Sequence, residues 1–153
     1  MANYFKMKHL KVLIVEGNTH EENLKFQKLS NQPQSFNFKD NIKKYYPDTE
    51  IDIVNPSTKN ETEKFVPKIN KYDGIIAAGG GKVLDAGKLI AEKTNTNCIT
   101  VPLSSSTCAA WTALANIYSP QGAFIRDVTL QNCPKLLIFD HKIIRKAPKR
   151  LLA

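Results

Sequence analysis

An α/β protein with a doubly wound, mostly parallel sheet is predicted by three features of the chain. Short apolar runs alternate with segments of helical period: KVLIV at Lys11–Val15, EIDIV at Glu50–Val54, GIIAA at Gly74–Ala78, CITV at Cys98–Val101 and LLIF at Leu136–Phe139. That alternation implies crossover connections and parallel strands. Tyr72–Lys93 (YDGIIAAGGGKVLDAGKLIAEK) runs from a strand straight into three glycines and then a helix. Finally, Ala113–Tyr118 and Ala123–Arg126 flank the turn Ser119-Pro120-Gln121-Gly122, which adds a β-hairpin insertion to a Rossmann-like sheet.

Taken in order, Lys11–Val15 has strand length and an apolar body, and Gly17-Asn18 turns the chain after it. Thr19 with Glu22 three residues on has capping-box spacing, predicting a helix to about Leu29. Ser30–Ser35 (SNQPQS) breaks it, and a second helix over Lys39–Tyr45 stops before Pro47. Glu50–Val54 alternates as a strand does, and Asn55-Pro56-Ser57 turns. Glu61–Asn70 predicts a short polar helix interrupted by Pro67. Strand Gly74–Ala78, helix Lys82–Lys93 and strand Cys98–Val101 follow. After Pro102, the run Ser104–Thr107 leads to the hairpin. Leu136–Phe139 reads as another buried strand ending at Asp140, and HKIIRKAPKRLLA reads as the start of a helix.

With 153 residues, 42% hydrophobic and 24% charged, the chain has enough sequence for one domain, 1–153, with a real core. No apolar run approaches the ~18 residues of a membrane span. The N-terminus lacks a small-residue cleavage site, so a cytoplasmic protein without a membrane partner is expected. Three cysteines without CxxC spacing suggest neither a disulfide framework nor a zinc knuckle. His9, His20 and His141 share no ligand spacing, so no metal site is expected in this chain. The net charge of +8 is not gathered into an arm. Its densest cluster (Lys142, Arg145, Lys146, Lys149, Arg150) reads as a solvated face, and no nucleic-acid partner is expected.

The glycine segment carries the chemistry. Gly79, Gly80 and Gly81 sit where a strand meets a helix N-terminus. There, backbone N–H groups and the helix dipole favour an anion, and missing side chains let it come close. Lys82 adds a cation where a pyrophosphate would sit, and Asp85 lies one turn on. The plain alternative is a tight turn that binds nothing. Likewise Ser104–Thr107 alone reads as a polar loop, Trp111 and Tyr118 as core or interface aromatics, and Cys108 as an inert thiol without a partner histidine.

From about Tyr72 to the end, about half the chain, three motifs stand in order: GGGKVLDAGK at Gly79–Lys88, PLSSSTCAAWTALANIYSPQGAF at Pro102–Phe124 and CPKLLIFDHKIIRKAPKRLLA at Cys133–Ala153. Together they resemble the iron-containing alcohol dehydrogenase and glycerol dehydrogenase family. The resemblance implies NAD or NADP as cofactor. Gly81 and Lys82 would meet the pyrophosphate beside Asp85, and Leu103 and Ser106 would line the cofactor groove. Thr112, Leu114 and Tyr118 would surround the nicotinamide and its ribose. The family often has threonine at the position of Leu103, and leucine removes that polar contact. Cys108 falls where glycerol dehydrogenases place an aspartate that holds the polyol. A thiol does not accept hydrogen bonds as a carboxylate does, which argues against glycerol and favours a 2-oxo or 2-hydroxy carboxylate.

The resemblance also implies a second, helical domain with the catalytic zinc or iron, absent from this chain. Residues about 8–60 (KVLIVEGNTHEENLKFQK, then KKYYPDTEIDIVNP) instead resemble the start of class I glutamine amidotransferase-like domains, without the nucleophile elbow. Expected, then, is an amidotransferase-like half, 1–71, joined to a dehydrogenase-like nucleotide-binding half, 72–153. It would be the NAD(P)-binding portion of a metal-dependent dehydrogenase for a small hydroxy or oxo substrate, inactive alone. The surface left by the missing domain favours a homo-oligomer. The alternative is a noncatalytic nucleotide- or phosphate-binding module, or a chimeric fragment without activity.

Overall fold

The computed structural model describes residues 11–16, 42–44, 47–54 and 72–145. A five-stranded, all-parallel sheet forms the body, built from β1 (Lys11–Glu16), β2 (Glu50–Val54), β3 (Gly74–Gly79), β4 (Cys98–Pro102) and β7 (Leu136–Leu137). Its strand order is β2-β1-β3-β4-β7. β1 is therefore an interior strand, one in from the β2 edge, with Ile14 beside Ile53 on one flank and Ile76 on the other. Leu13, Ile14 and Val15 are buried, as expected of a strand covered on both faces.

Helix α1 (Gly81–Thr94) packs on this sheet. Leu84, Ala91 and Ile90 join Leu13, Val15, Ile75, Ala77 and Ala110 in the core. The helix ends at Asn95, whose left-handed backbone (φ 50°) directs its N–H to the carbonyls of Ala91 and Glu92. Strands β5 (Leu114–Tyr118) and β6 (Phe124–Thr129) form a separate antiparallel pair, the predicted hairpin. Its turn closes through the Gly122 N–H on the Ser119 carbonyl, with Gly122 at φ +82°. A short helix, α2 (His141–Ile144), starts on the Asp140 carboxylate, which accepts from the N–H groups of Lys142 and Ile143.

At the N-terminal end of the sheet the strands are tied by polar contacts. The Lys11 N–H donates to the Asp73 carboxylate at 2.9 Å, Lys11 Nζ pairs with Glu50 at 3.0 Å, and the Tyr72 hydroxyl donates to Asp52. Burial and the Asp52 carboxylate together push the Tyr72 phenol up to about 12.

One expectation needs correction. Leu136–Phe139 is not a buried strand: only Leu136 and Leu137 pair, and Leu136, Ile138 and Phe139 are 51%, 46% and 55% exposed. The reason is position, since β7 is the outermost strand and nothing described covers its outer side. Ile42–Lys44 are helical within the predicted Lys39–Tyr45 helix. The helices predicted over Thr19–Leu29 and Glu61–Asn70, and the basic tail past Arg145, lie outside the described residues.

Candidate functional site

The carboxyl ends of β3 and β4 meet at the start of α1. Gly79 pairs with Pro102, and the Leu103 N–H donates to the Gly79 carbonyl at 3.1 Å, so the glycine turn and the Leu103–Thr107 loop stand side by side. The three glycines differ in what they do. A Cβ on Gly79 would strike the Val83 side chain at 2.7 Å, so that glycine is needed for packing. A Cβ on Gly81 would lie 3.1 Å from Thr107 Oγ1. A Cβ on Gly80 would meet nothing within 4 Å, so above Gly80 the helix end is open.

Gly80 is the N-cap of α1, and it has φ −81°, no side-chain cap and no acidic residue in the first turn. Its carbonyl already accepts from the N–H groups of Val83 and Leu84. Those of Gly81 and Lys82 have no acceptor within the helix. Lys82 is exposed, with Nζ 4.5 Å from the centroid of the Tyr118 ring and 3.3 Å from the Gly122 carbonyl. Tyr118 in turn meets Phe124 edge-on at 6.4 Å. An uncapped helix N-terminus, an open face at Gly80 and a lysine within reach suit a phosphate or pyrophosphate group.

The predicted residues do not all fall in one place. Gly79, Gly80, Gly81, Lys82, Leu103 and Tyr118 gather around the N-terminus of α1. Ser106, exposed on the adjoining loop, exchanges a 3.1 Å hydroxyl contact with Ser104. Thr112 and Leu114 attach farther along α1, at the level of Lys88. Asp85 faces inward: it is 3% exposed and pairs with Lys88 at 3.0 Å. Cys108 is exposed at the head of a turn, and its carbonyl accepts from the Trp111 N–H and the Thr112 hydroxyl, each at 3.2 Å.

Thr107 was not singled out in sequence, yet it is the side chain nearest Gly81, and its hydroxyl caps the next turn by accepting from the Ala109 N–H at 3.1 Å. Its place at the end of a hydroxyl-rich run just before small residues was the available signal. A polar cavity of about 270 Å³, bordered by Glu92, Asn95, Asn97, Gln131 and Lys135, opens beside the C-terminal end of α1 and includes no residue of the glycine turn. Among the described residues no group of three or more His, Cys, Asp or Glu side chains converges as metal ligands do. No described helix is long and apolar enough to cross a membrane.

The chain is 55% identical over 80 residues to an uncharacterized oxidoreductase of Synechocystis sp., covering 52% of this chain and 21% of that protein. It is 40% identical over 80 residues to a glycerol dehydrogenase of Thermotoga maritima, covering 52% and 22%. Against a glycerol-1-phosphate dehydrogenase [NAD(P)+] of Methanococcus aeolicus it is 35% identical over 103 residues, covering 67% and 28%. The chain therefore spans less than a third of the length of these curated relatives.

Among solved structures, the NADH-dependent butanol dehydrogenase A of Thermotoga maritima superimposes with a TM-score of 0.71 at 19% identity, covering 93% of this chain and 39% of that one. The glycerol dehydrogenase of Schizosaccharomyces pombe gives 0.69 at 22%, covering 94% and 34%. At such identities these likenesses show the fold alone. A family model described as iron-containing alcohol dehydrogenase matches residues 4–141, which takes in residues 4–71 as well as the glycine segment. With the model spanning most of its length, the chain belongs to the iron-containing alcohol dehydrogenase family.

Proposed function

We propose that this chain forms the NAD(P)-binding portion of a metal-dependent dehydrogenase acting on a small hydroxy compound, a hydroxycarboxylate or polyol, and that it is inactive by itself. The observation that carries this reading is the uncapped N-terminus of α1, open above Gly80, with Lys82 poised beside it. Relatives whose names specify NADH or NAD(P)+ support it.

In this reading the N–H groups of Gly81 and Lys82 hold the pyrophosphate oxygens, and the Lys82 ammonium leaves the Gly122 carbonyl to neutralise their charge. Thr107 borders the same turn, and Leu103 packs on the groove. Thr112, Leu114 and Tyr118 flank the nicotinamide side, and exposed Cys108 stands where the substrate would approach. A bound nicotinamide supplies the hydride acceptor. The chain's own contribution is binding, orientation and charge compensation. The described residues do not suit a metal ion, so no metal-dependent step is assigned to them.

The test is a fluorescence titration of the purified chain with NADH and NADPH, alongside Lys82→Ala. Saturable binding, weakened at least tenfold by the substitution, is expected from the loss of a charge-assisted contact worth about 1.5–3 kcal/mol. No turnover of hydroxy acids or glycerol is expected with NAD and added zinc or iron. A cooperatively folded chain that binds neither cofactor overturns the reading.

A further inference from the structure

Helix α1 carries a buried ion pair to which cofactor binding assigns no part. Lys88 Nζ lies 3.0 Å from Asp85 Oδ1, and the two side chains are only 2% and 4% exposed. The ammonium also donates to the Thr112 carbonyl at 3.3 Å and to the Leu114 carbonyl. An ammonium has three donors, and here one goes to a carboxylate and two go to the main chain of a single short segment. A cation is retained in an interior only when it is paired and hydrogen-bonded this fully.

The segment it grips is otherwise held by its buried side chains Ala115 and Ile117 and, past the hairpin, by the Gln131 N–H on the Glu92 carboxylate at 3.1 Å. β5 and β6 form their own two-stranded sheet and share no ladder with the five-stranded one. Leu130 closes the base of the hairpin by donating to the Ala113 carbonyl at 2.9 Å, but that contact is internal to the insertion. Two lysines of α1 add polar ties from the helix to β5. Lys82 reaches the Tyr118 end and Lys88 the Leu114 end. Lys82 is exposed and able to exchange its partner for a ligand, whereas Lys88 is enclosed and is not.

We infer that Lys88, with Asp85 as its counter-ion, is a positioning residue that fixes Thr112 and Leu114 against α1 and so governs the nicotinamide end of the site independently of the pyrophosphate end. This rests on the NAD(P) reading above. Asp85 then acts from inside, through Lys88, rather than by touching the cofactor. Without the ammonium, the carbonyls of Thr112 and Leu114 lose their shared donor and the two side chains lose their fixed place.

The experiment compares NADH with ADP, which carries a pyrophosphate but no nicotinamide, on the full chain by calorimetry or fluorescence competition. Lys88→Met is expected to weaken NADH at least tenfold while ADP changes less than twofold, and Lys88→Arg is expected to recover part of the loss. Because Lys88→Met strands a buried carboxylate, Asp85→Leu/Lys88→Met serves as the second variant, removing both charges and predicting the same split. Equal weakening of both ligands, or none of either, in a folded variant overturns the inference. Wild-type chain that binds ADP but gains nothing from the nicotinamide overturns it as well. Wild-type chain that binds neither overturns the NAD(P) reading itself, and the inference with it.

Discussion

Gly87 of α1 rests directly on Ala77 of β3: a Cβ built on Gly87 would lie 2.4 Å from the Ala77 Cβ. Nonbonded carbons do not approach so closely, and neither atom belongs to a flexible side chain. The helix is seated at this distance because glycine, and only glycine, stands there.

Gly87→Ala is therefore expected to destabilise the fold. Helix propensity gains about 1 kcal/mol, but overpacking costs about 1–3 kcal/mol and the core at Ala77 is fully buried. Chemical denaturation should show a lowered midpoint. Adding Ala77→Gly should recover part of the loss, giving a measurable coupling in a double-mutant cycle.

Gly80 predicts the opposite separation of stability and binding. Its backbone is ordinary and its Cβ position is open. Gly80→Asp should therefore cap α1 and stabilise it by a few tenths of a kcal/mol. The new carboxylate would occupy the place of the pyrophosphate, so NADH affinity should fall more than tenfold. A melting temperature that holds while binding is lost is the expected pair of results.

Cys98 and Tyr72 predict alkaline sensitivity. Burial pushes the Cys98 thiol from 9.0 up to about 12, with Lys88 opposing, and Tyr72 rises from 10.0 to about 12. Both groups keep their protons longer in the folded chain than in the unfolded one. Their contribution is complete below pH 9 and is lost as pH rises from there through 12. Denaturation midpoints should fall over that window, and Cys98→Val should flatten the decline. At about pH 8, Ellman's reagent should label Cys108 and Cys133 in the native chain and Cys98 only after unfolding.

Thr100 is fully buried on β4, and its hydroxyl donates to the Ala110 carbonyl at 2.6 Å, tethering the turn that carries Cys108. Thr100→Val preserves shape but leaves that carbonyl without its donor, at a cost of about 1–3 kcal/mol. Thermal unfolding measures the loss.

Much of this fold is written in local sequence signals. β3, the glycine turn, α1 and β4 follow from an apolar run, three glycines and helical spacing, all of them local signals. The hairpin followed from Pro120 and Gly122 between two apolar stretches. β7 was misread because a short apolar run looks the same whether it is enclosed or sits at an edge; Leu136, Ile138 and Phe139 carry no mark of their exposure. Lys88 was passed over because lysine reads as solvated. The clue was its spacing with Leu84 and Ala91 on the buried face, three residues after Asp85. Which of the three glycines is needed for packing and which leaves an opening was invisible, since that depends on Val83 and Thr107.

The strand order also governs how the chain reaches this structure. Val12 lies between Ile51 and Gly74, partners that follow it by large sequence separations. A nascent chain can extrude β1 long before it can enclose it. Seating that interior strand must await β3, and the long loop between them adds a closure cost. The β5–β6 hairpin, by contrast, needs only its own neighbours and can zip on a scale of about 1–10 μs. Yet β6 is exposed along nearly its whole length. An element that can form early thus leaves one of its strands open to solvent, whereas Leu13 and Val15 find their core partners only once β3 and α1 have been made.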